Sequence, residues 1–468
     1  MQRIIGMAIA TFAFSSLGGV PAAANAGAAI ATTAYQQRNF DQGRSRNTID
    51  VTALLTAARG APPMICSLAS RSLQGWGWGG SDAPATPLSM VAATVSDDDD
   101  SPVQALPAAD VQKLFAGLAS DDACVRELSV RLIGRQKPEN VDRELVTRLA
   151  SSDQSMRAVA ALGLGLAEAQ TGVDPLIRTL RDASPDVRGN SAWALGRIEN
   201  GRALNPLMNL FSDDAEKVRE AAVAAVGHME STASVGALIR VVRQDNAASV
   251  RRVAAWALGN LEAHEAVDAL AAVLAHDSDA RVREMSAWAL GNIEDRRAIP
   301  ALSAAIRGDA EDRVRETAVW AVGNLEDRSA IDVLGAATGD RSAGVRGTAA
   351  WAIGQMDEEG AKAPAGLLRL LNDDSPDVRL KAAWALGQIE DSGALSAVRD
   401  ALKAEKNDHV RRALIRALMK SGESSQETLT QLLTSSDPAI REAAVRGLAG
   451  ARSNDPWPWP WPRPRPFP

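Results

Sequence analysis

Residues that usually carry chemistry are scarce in this 468-residue sequence. It holds two cysteines, four histidines and one tyrosine, and aromatic residues make up only 4% of the chain. No P-loop, GxSxG or CxxC motif occurs. His264 and Glu265 form the single His-Glu pair, and Asp268 stands where a zinc-binding HExxH motif needs its second histidine. The sequence therefore predicts no metal site, no cofactor and no catalytic residue.

An excess of basic residues is also missing. Lysine and arginine total 51 residues against 58 aspartates and glutamates, which gives a formal charge of −7 at pH 7. Because nucleic-acid binding needs a basic patch that neutralises phosphates, nucleic acid is not a predicted partner. Cys66 and Cys124 are predicted to be two separate buried thiols, although export of the chain would permit a disulfide between them.

The first 26 residues have the pattern of a secretory signal peptide. Arg3 precedes an apolar stretch, residues 4–20, and the small residues Ala24 and Ala26 then mark a cleavage site. A membrane anchor is the alternative reading, but the stretch is marginal in length and contains three glycines. We therefore expect cleavage after Ala26 and a periplasmic or secreted protein.

A motif of the form V-R-x-x-A-A-W-A-L-G recurs along the chain. Its arginine follows valine, methionine or isoleucine and occurs eleven times, at intervals of 30 to 33 residues. Such a period indicates an array of small structural units, and we expect the repeated arginine to pair with turn carboxylates between units. The eleven arginines are Arg126, Arg157, Arg188, Arg219, Arg251, Arg283, Arg315, Arg346, Arg379, Arg411 and Arg441.

Each period divides into two predicted helices. In one unit, residues 297–307 and 313–325 show apolar side chains at helical spacing, and residues 309–312 form a polar turn between them. A hairpin with one apolar face per helix must stack on its neighbours to bury that face. A glycine follows the arginine by eight residues in nine units. Glycine inside a helix costs about 1 kcal/mol relative to alanine, which indicates that a neighbouring backbone passes close to it.

The predicted fold is all-α, an α-α superhelix or α-solenoid of about eleven helical hairpins. We expect two short helices before the array, at residues 48–59, closed by Gly60, and at residues 63–73. The predicted divisions of the chain are a signal peptide (1–26), an N-terminal segment with these two helices (27–80), a flexible acidic linker (81–106), the repeat array (107–451) and a tail rich in tryptophan, proline and arginine (452–468).

The repeated motif resembles the HEAT repeat, in particular the short HEAT-like repeats that also occur in phycobilisome lyases. The resemblance covers residues from about 107 to 451 and implies the solenoid fold, while it says little about function. One alternative that it raises is a bilin-lyase-like enzyme or chaperone, which would need a reactive cysteine or other nucleophile in the central repeats, where neither cysteine lies. Residues 58–73 resemble segments of HEAT-bearing relatives of bacterial membrane sensor peptidases, which implies a sensor component as a further alternative.

Six of the eleven tryptophans occupy one repeat position, five residues after the arginine. On a helical wheel, at about 100° per residue, this position lies outside the face formed by the valine, the alanines and the leucine of the motif. In HEAT hairpins the second helix lines the concave surface, so the resemblance implies a partly exposed tryptophan ladder along an inner groove. The alternative is that the rings fill gaps between adjacent second helices. The six are Trp193, Trp256, Trp288, Trp320, Trp351 and Trp384.

Polar side chains accompany these tryptophans. Four residues after each ring, and therefore beside it on the helix, the chain carries an amide in five of six units. Amides donate and accept hydrogen bonds, which suits a peptide backbone. The pattern resembles the Trp–Asn arrays of importin-alpha-type armadillo proteins, whose asparagines bind peptide backbone. Glu284 and Glu316 lie on the same side, within reach of a cation. The residues beside the rings are Arg197, Asn260, Asn292, Asn324, Gln355 and Gln388.

The sequence therefore predicts an exported scaffold that binds a protein or an extended peptide in this groove. Residues 456–468 alternate proline with other residues, which enforces an extended backbone. We expect this tail to dock, either in the protein's own groove or, as the alternative, at a membrane interface. Its docking residues would be Trp457, Trp459, Trp461, Arg463 and Arg465.

Overall fold

The computed structural model describes residues 49–62, 66, 106–136, 141–356, 362–421 and 426–434, together with 441, 444, 445 and 448. Within these residues, all regular secondary structure is helical. The chain divides into residues 1–50, of which only Ile49 and Asp50 are described, and residues 51–468, which contain every described helix. The predicted all-α solenoid is confirmed.

A single helix, α1 (Val51–Ala58), precedes ten complete two-helix units and an eleventh whose second helix is described only at residues 441, 444, 445 and 448. The α-helices of the units are α2 and α3 (Ala108–Gly117, Ala123–Gly134), α4 and α5 (Val141–Arg148, Gln154–Leu166), α6 and α7 (Val173–Thr179, Pro185–Ile198), α8 and α9 (Leu204–Asn209, Glu216–His228), α10 and α11 (Val235–Gln244, Ala248–Asn260), α12 and α13 (Val267–His276, Ala280–Ile293), α14 and α15 (Ile299–Gly308, Asp312–Asn324), α16 and α17 (Ile331–Ala337, Ala343–Gln355), α18 and α19 (Ala365–Arg369, Pro376–Ile389), α20 and α21 (Leu395–Ala404, Asp408–Lys420), and α22 (Gln426–Leu432).

Each second helix packs against its own first helix and against the second helices of the two neighbouring units. Neighbouring first helices touch one another much less. The valine, alanine and leucine positions of the motif are buried between them, for example Val314, Ala318 and Val322 of α15, each 0% exposed. The core is therefore one continuous layer that runs along the stack, as expected for a repeat array.

The repeated glycine marks the closest approach between second helices. A Cβ atom built on Gly291 would lie 2.8 Å from the Cβ of Ala321 and 2.9 Å from its Cα. At Gly196, the Cα of Ala225 would lie only 2.6 Å away. The prediction that a neighbouring backbone passes where a side chain would stand is confirmed. Only Gly387 has more room, with its nearest neighbouring atom at 3.3 Å.

Seven second helices are followed, one or two residues after their last residue, by a glutamate in the left-handed conformation, with φ between 47° and 55°. This conformation costs a non-glycine residue about 1–2 kcal/mol. It turns the chain sharply, so that a short 3-10 turn can lead into the next first helix. The glutamates are Glu168, Glu199, Glu230, Glu262, Glu294, Glu326 and Glu390, and all seven are exposed.

A disulfide joins Cys66 to Cys124, with their Cα atoms 5.6 Å apart. The expectation of two separate thiols is therefore wrong. The pairing lay beyond sequence reasoning because 58 residues separate the cysteines, and only the folding of α1 onto the first unit brings them together. The predicted helix at residues 48–59 is confirmed as α1, and Gly60 follows it with φ +73°.

Several predictions fall outside the described residues. These are the signal peptide (1–26), all of the acidic linker except Leu106, and the tail (452–468) with Trp457, Trp459, Trp461, Arg463 and Arg465. Of the second predicted N-terminal helix, residues 63–73, only Cys66 is described, and it is helical. Among the described residues, no helix combines the length and apolarity that crossing a bilayer requires.

Candidate binding face

The repeated arginine ties consecutive units together. Arg283 donates from Nε and Nη2 to the two carboxylate oxygens of Asp309, at 2.8 and 3.0 Å, and from Nη1 to the carbonyl oxygen of Asp277 in its own turn. The predicted pairing of arginines with turn carboxylates between units is confirmed in eight successive units. The pairs are Arg157–Asp182, Arg188–Asp213, Arg219–Asp245, Arg251–Asp277, Arg283–Asp309, Arg315–Asp340, Arg346–Asp373 and Arg379–Glu405.

Seven carboxylates of this ladder have a pKa below its ordinary value: Asp182, Asp213, Asp277, Asp309, Asp340, Asp373 and Glu405. Burial alone would raise the pKa of Asp309, but the hydrogen bonds from Arg283 and from the backbone N–H of Glu311 outweigh it and keep that pKa below 3.8. At Asp373 the hydrogen bond from Arg346 is the largest influence and lowers the pKa. Carboxylates that accept hydrogen bonds from an arginine of the preceding unit and from a backbone N–H of their own turn hold consecutive units together.

The six repeated tryptophans lie between adjacent second helices. A Cβ atom built on Gly259 would lie 2.8 Å from Cζ3 of Trp288, and the same contact recurs at each ring with the glycine of the preceding unit. Trp256, Trp320 and Trp351 are only 1%, 9% and 5% exposed. The half-buried rings are those of Trp193, Trp288 and Trp384.

The expectation that all six rings are partly exposed is therefore confirmed for Trp193, Trp288 and Trp384 and is wrong for Trp256, Trp320 and Trp351. The helical wheel describes one helix and shows which side chains miss the core of that hairpin. It does not show that the second helix of the preceding unit, at its glycine, packs against the side of the helix that carries the tryptophan. All six rings fill this gap, and three of them also present an edge to solvent.

Four consecutive units present an open amide beside the tryptophan. Asn260 is exposed, and Asn292, Asn324 and Gln355 are half-buried. Within the described part of the chain, none of these four side chains forms a hydrogen bond with another residue. Each amide therefore keeps both its donor and its acceptor for a ligand or for water.

The same repeat position carries basic side chains beyond both ends of this amide row, Arg197 two units before Asn260 and Lys420 two units after Gln355. Arg197 donates to Glu168 at 2.8 Å, and its guanidinium carbon lies 5.7 Å from the ring centre of Trp193. At the other end, Lys420 donates to the side-chain oxygen of Gln388 at 2.7 Å. The sequence placed Arg197 and Gln388 in one series with the four open amides, but the structure sets them apart because internal partners occupy them.

A second row lies one residue after the repeated arginine and carries charge. In four consecutive units it consists of Glu220, Arg252, Glu284 and Glu316, all half-buried. Among the described residues, none of them has an oppositely charged partner within 4 Å, although Thr348 donates to Glu316 at 3.3 Å. We call this charged row and the four open amides together the second-helix face.

Burial dominates the titration of two of these carboxyl groups. Desolvation raises the pKa of Glu220, against the attraction of Arg252, and it raises the pKa of Glu284, against Arg313. Half-buried charges without an ion pair are costly to keep and are enriched at binding sites. Sequence reasoning counted Glu284 and Glu316 among the site residues but left out Glu220 and Arg252, although the shared repeat position was a sufficient signal.

The histidines and acids of the described residues do not gather into a metal site, because no group of three or more potential ligands is close enough to hold an ion. His264 begins the 3-10 turn before α12 and lies 3.4 Å from Asp295. It is therefore a turn residue.

The residue pattern and the two-helix units now identify the family. The sequence profile of HEAT repeats matches residues 143–227, 235–323, 299–365 and 364–449, which is well over half of the chain. This chain belongs to the HEAT-repeat family. No curated protein matches it.

Solved structures share the fold of this HEAT-repeat chain. Kap95p, solved with RanGDP, aligns with a TM-score of 0.52 and 15% identity, over 72% of this chain and 57% of that chain. An engineered protein aligns at 0.40 and 20% identity, over 73% and 99%. YibA of E. coli aligns at 0.43 and 19% identity, over 52% and 91%. At these identities the likeness shows the fold alone.

Proposed function

We propose that this HEAT-repeat protein is an exported, non-catalytic scaffold that binds a protein or an extended peptide along its second-helix face. The observation that carries the proposal is the run of four open amides, Asn260, Asn292, Asn324 and Gln355, in consecutive units. A fold built only for stability has no need of amides that bond to nothing. A polypeptide backbone supplies both partners that such amides lack.

The spacing of the units suits an extended chain. Packed helices lie about 8–10 Å apart, and an extended backbone advances about 3.3 Å per residue. One amide would therefore meet about every third residue of the ligand. The buried tryptophans hold the amide row rigid, and the charged row formed by Glu220, Arg252, Glu284 and Glu316 would select for charge along the ligand.

Export is part of the proposal and rests on two features. The first 26 residues read as a signal peptide, and the Cys66–Cys124 disulfide is a type of bond that persists in oxidising compartments. N-terminal sequencing of protein from the cell envelope or medium should begin at Gly27. Soluble cytoplasmic protein that retains Met1 would contradict export.

A bilin-lyase-like activity has less support, because the disulfide engages both cysteines at the N-terminal end, away from the central units. A sensor component beside a membrane peptidase remains the other alternative, since a protein partner of that kind would use the same face. The C-terminal tail is a further occupant that the sequence predicts for this face, through Arg463 and Arg465.

The test removes two open amides from the full chain by Asn292→Ala with Asn324→Ala. A hydrogen bond contributes about 0.5–1.5 kcal/mol, so the affinity for a captured and identified ligand should fall about 5- to 150-fold. The melting temperature should not change, because neither amide bonds to the fold. Asn209→Ala with Asn372→Ala is the matched control, since these exposed amides belong to first-helix segments. Unchanged affinity for every captured ligand would remove the proposal.

A further inference from the structure

The last described unit leaves core positions uncovered. Val445 and Leu448 follow Arg441 by four and seven residues, and they are 56% and 42% exposed. In all ten preceding units, the side chains at these two positions are at most 3% exposed. The difference arises because every other second helix is covered by the next one, whereas residues 449–468 contain no further copy of the motif.

The opposite end of the stack is covered. Helix α1 lies on the first unit with Val51 and Ala58 at 1% and 5% exposure, and the Cys66–Cys124 disulfide fastens the segment that follows it. Repeat arrays need such caps at both ends, because an open end presents the apolar face that would otherwise bind another unit. At the C-terminal end, nothing among the described residues performs this role.

The chain continues for twenty residues beyond Leu448, which are not among those described. Seven residues, 449–455, connect Leu448 to the proline-rich residues 456–468. They can span at most about 25 Å, which is enough for residues 456–468 to turn back onto the eleventh unit. Prolines lack N–H groups, so the segment can lie on an apolar surface with few donors unsatisfied. Its three tryptophans and Phe467 carry the large apolar area that such a surface requires.

We propose that residues 456–468 fold back and cap the eleventh unit, with tryptophan rings over Val445 and Leu448. The tail then takes the place of a twelfth repeat and leaves the second-helix face open for a partner. One tail cannot occupy the end of the eleventh unit and the second-helix face at the same time. The two placements therefore predict different neighbours for the tryptophans of the tail.

Cross-linking in the full chain separates them. A photoreactive benzoylphenylalanine replaces Trp459, and the cross-linked peptides are mapped by mass spectrometry. Cross-links within one chain to residues 426–448 are expected, and Val445→Ser with Leu448→Ser should remove them. The matched control is Asn292→Ala with Asn324→Ala, which should leave them unchanged. Cross-links to residues 252–324, to a second copy of the chain, or to added anionic vesicles would each overturn the cap.

A second measurement does not depend on the folding of a substituted last helix. The chain ending at Ala451 is compared with the full chain by hydrogen exchange and sedimentation. Removal of a cap should raise exchange in α22 about tenfold or more and should let the bare ends associate as concentration rises. Equal exchange in α22 with no association would show that the tail covers nothing there.

Discussion

Alanine in place of Gly291 tests whether close packing of second helices explains the repeated glycine. A Cβ at this position would lie 2.8–2.9 Å from Ala321 and from the ring of Trp320. Backbone and a buried ring cannot move aside cheaply. Gly387 and Gly236 provide matched controls, because their surroundings are progressively more open: the nearest atom to Gly387 is 3.3 Å away, and nothing lies within 4 Å of Gly236.

Two opposing effects determine the outcome. Alanine stabilises a helix interior by about 1 kcal/mol relative to glycine, whereas forcing an extra methyl group into a packed interface costs about 1–3 kcal/mol. With three contacts below 3.0 Å, the cost of the extra methyl group at Gly291 should lie in the upper part of that range. After the gain in helix preference is subtracted, Gly291→Ala should destabilise its unit by a net amount of about 1–2 kcal/mol. Gly387→Ala should be close to neutral. Gly236→Ala should stabilise by about 0.5 kcal/mol, because only the helix preference remains.

The measurement has to be local, since a repeat array does not unfold as one two-state unit. Amide hydrogen exchange gives an opening free energy for each helix. The values for α13 and α15 report on Gly291, and those for α10 report on Gly236. A ranking in which Gly291→Ala stabilises as much as Gly236→Ala would refute the packing argument, whatever the absolute values.

Four further predictions concern the arginine ladder, its dependence on pH, the repeat units and the disulfide. Asp373→Ala should destabilise the stack by about 2 kcal/mol or more, because it breaks a mostly buried bidentate ion pair. Asp374 is its exposed neighbour, and Asp374→Ala should change the free energy of unfolding by less than about 0.5 kcal/mol. Urea titrations of the two variants would measure the difference. The hydrogen bond from Arg346 lowers the pKa of Asp373 in the folded chain below its ordinary value. The contribution of the pair to stability is therefore present well above the pKa of the unfolded chain and is lost as the pH falls through the lowered pKa of the folded one. Circular dichroism should remain flat down to about pH 5 and then decline. Deletion of residues 276–307 should leave a folded helical protein by circular dichroism, because equivalent faces meet. Cys66→Ser should increase hydrogen exchange in α1 and leave the central helices unchanged.

Most of the fold could be predicted from the sequence because its physics is local and repeated. The apolar spacing within residues 297–325 defines two helices to within two residues of their observed ends. The repeated arginine could be assigned to turn carboxylates because both recur with the same period. The helical pattern within one unit is a weak signal, but its recurrence in eleven units identifies the repeat and its two helices.

The binding face was harder to predict because it depends on relations between units. The burial of Trp256 comes from the neighbouring second helix, which a single-helix projection leaves out. The occupied state of Gln388 comes from Lys420, one unit further along. The Cys66–Cys124 bond depends on how α1 packs, and no periodicity extends to that segment.

The arginine ladder also bears on how the array stops. In eight successive pairs the guanidinium of one unit meets a carboxylate of the next. Such a contact is head-to-tail and, by itself, would allow growth without limit into filaments of many chains. The position that carries the carboxylate, six residues before the repeated arginine, is serine in the first two units, Ser120 and Ser151. Each serine hydroxyl still accepts a backbone N–H of its own turn, at 3.1 and 3.2 Å, but it carries no charge. Ser151 stands where a carboxylate partner of Arg126 in the same chain would be, and Ser120 stands at the N-terminal end of the stack. The first turn thus keeps the shape of the repeat but lacks the anion that would pair with an arginine of another molecule.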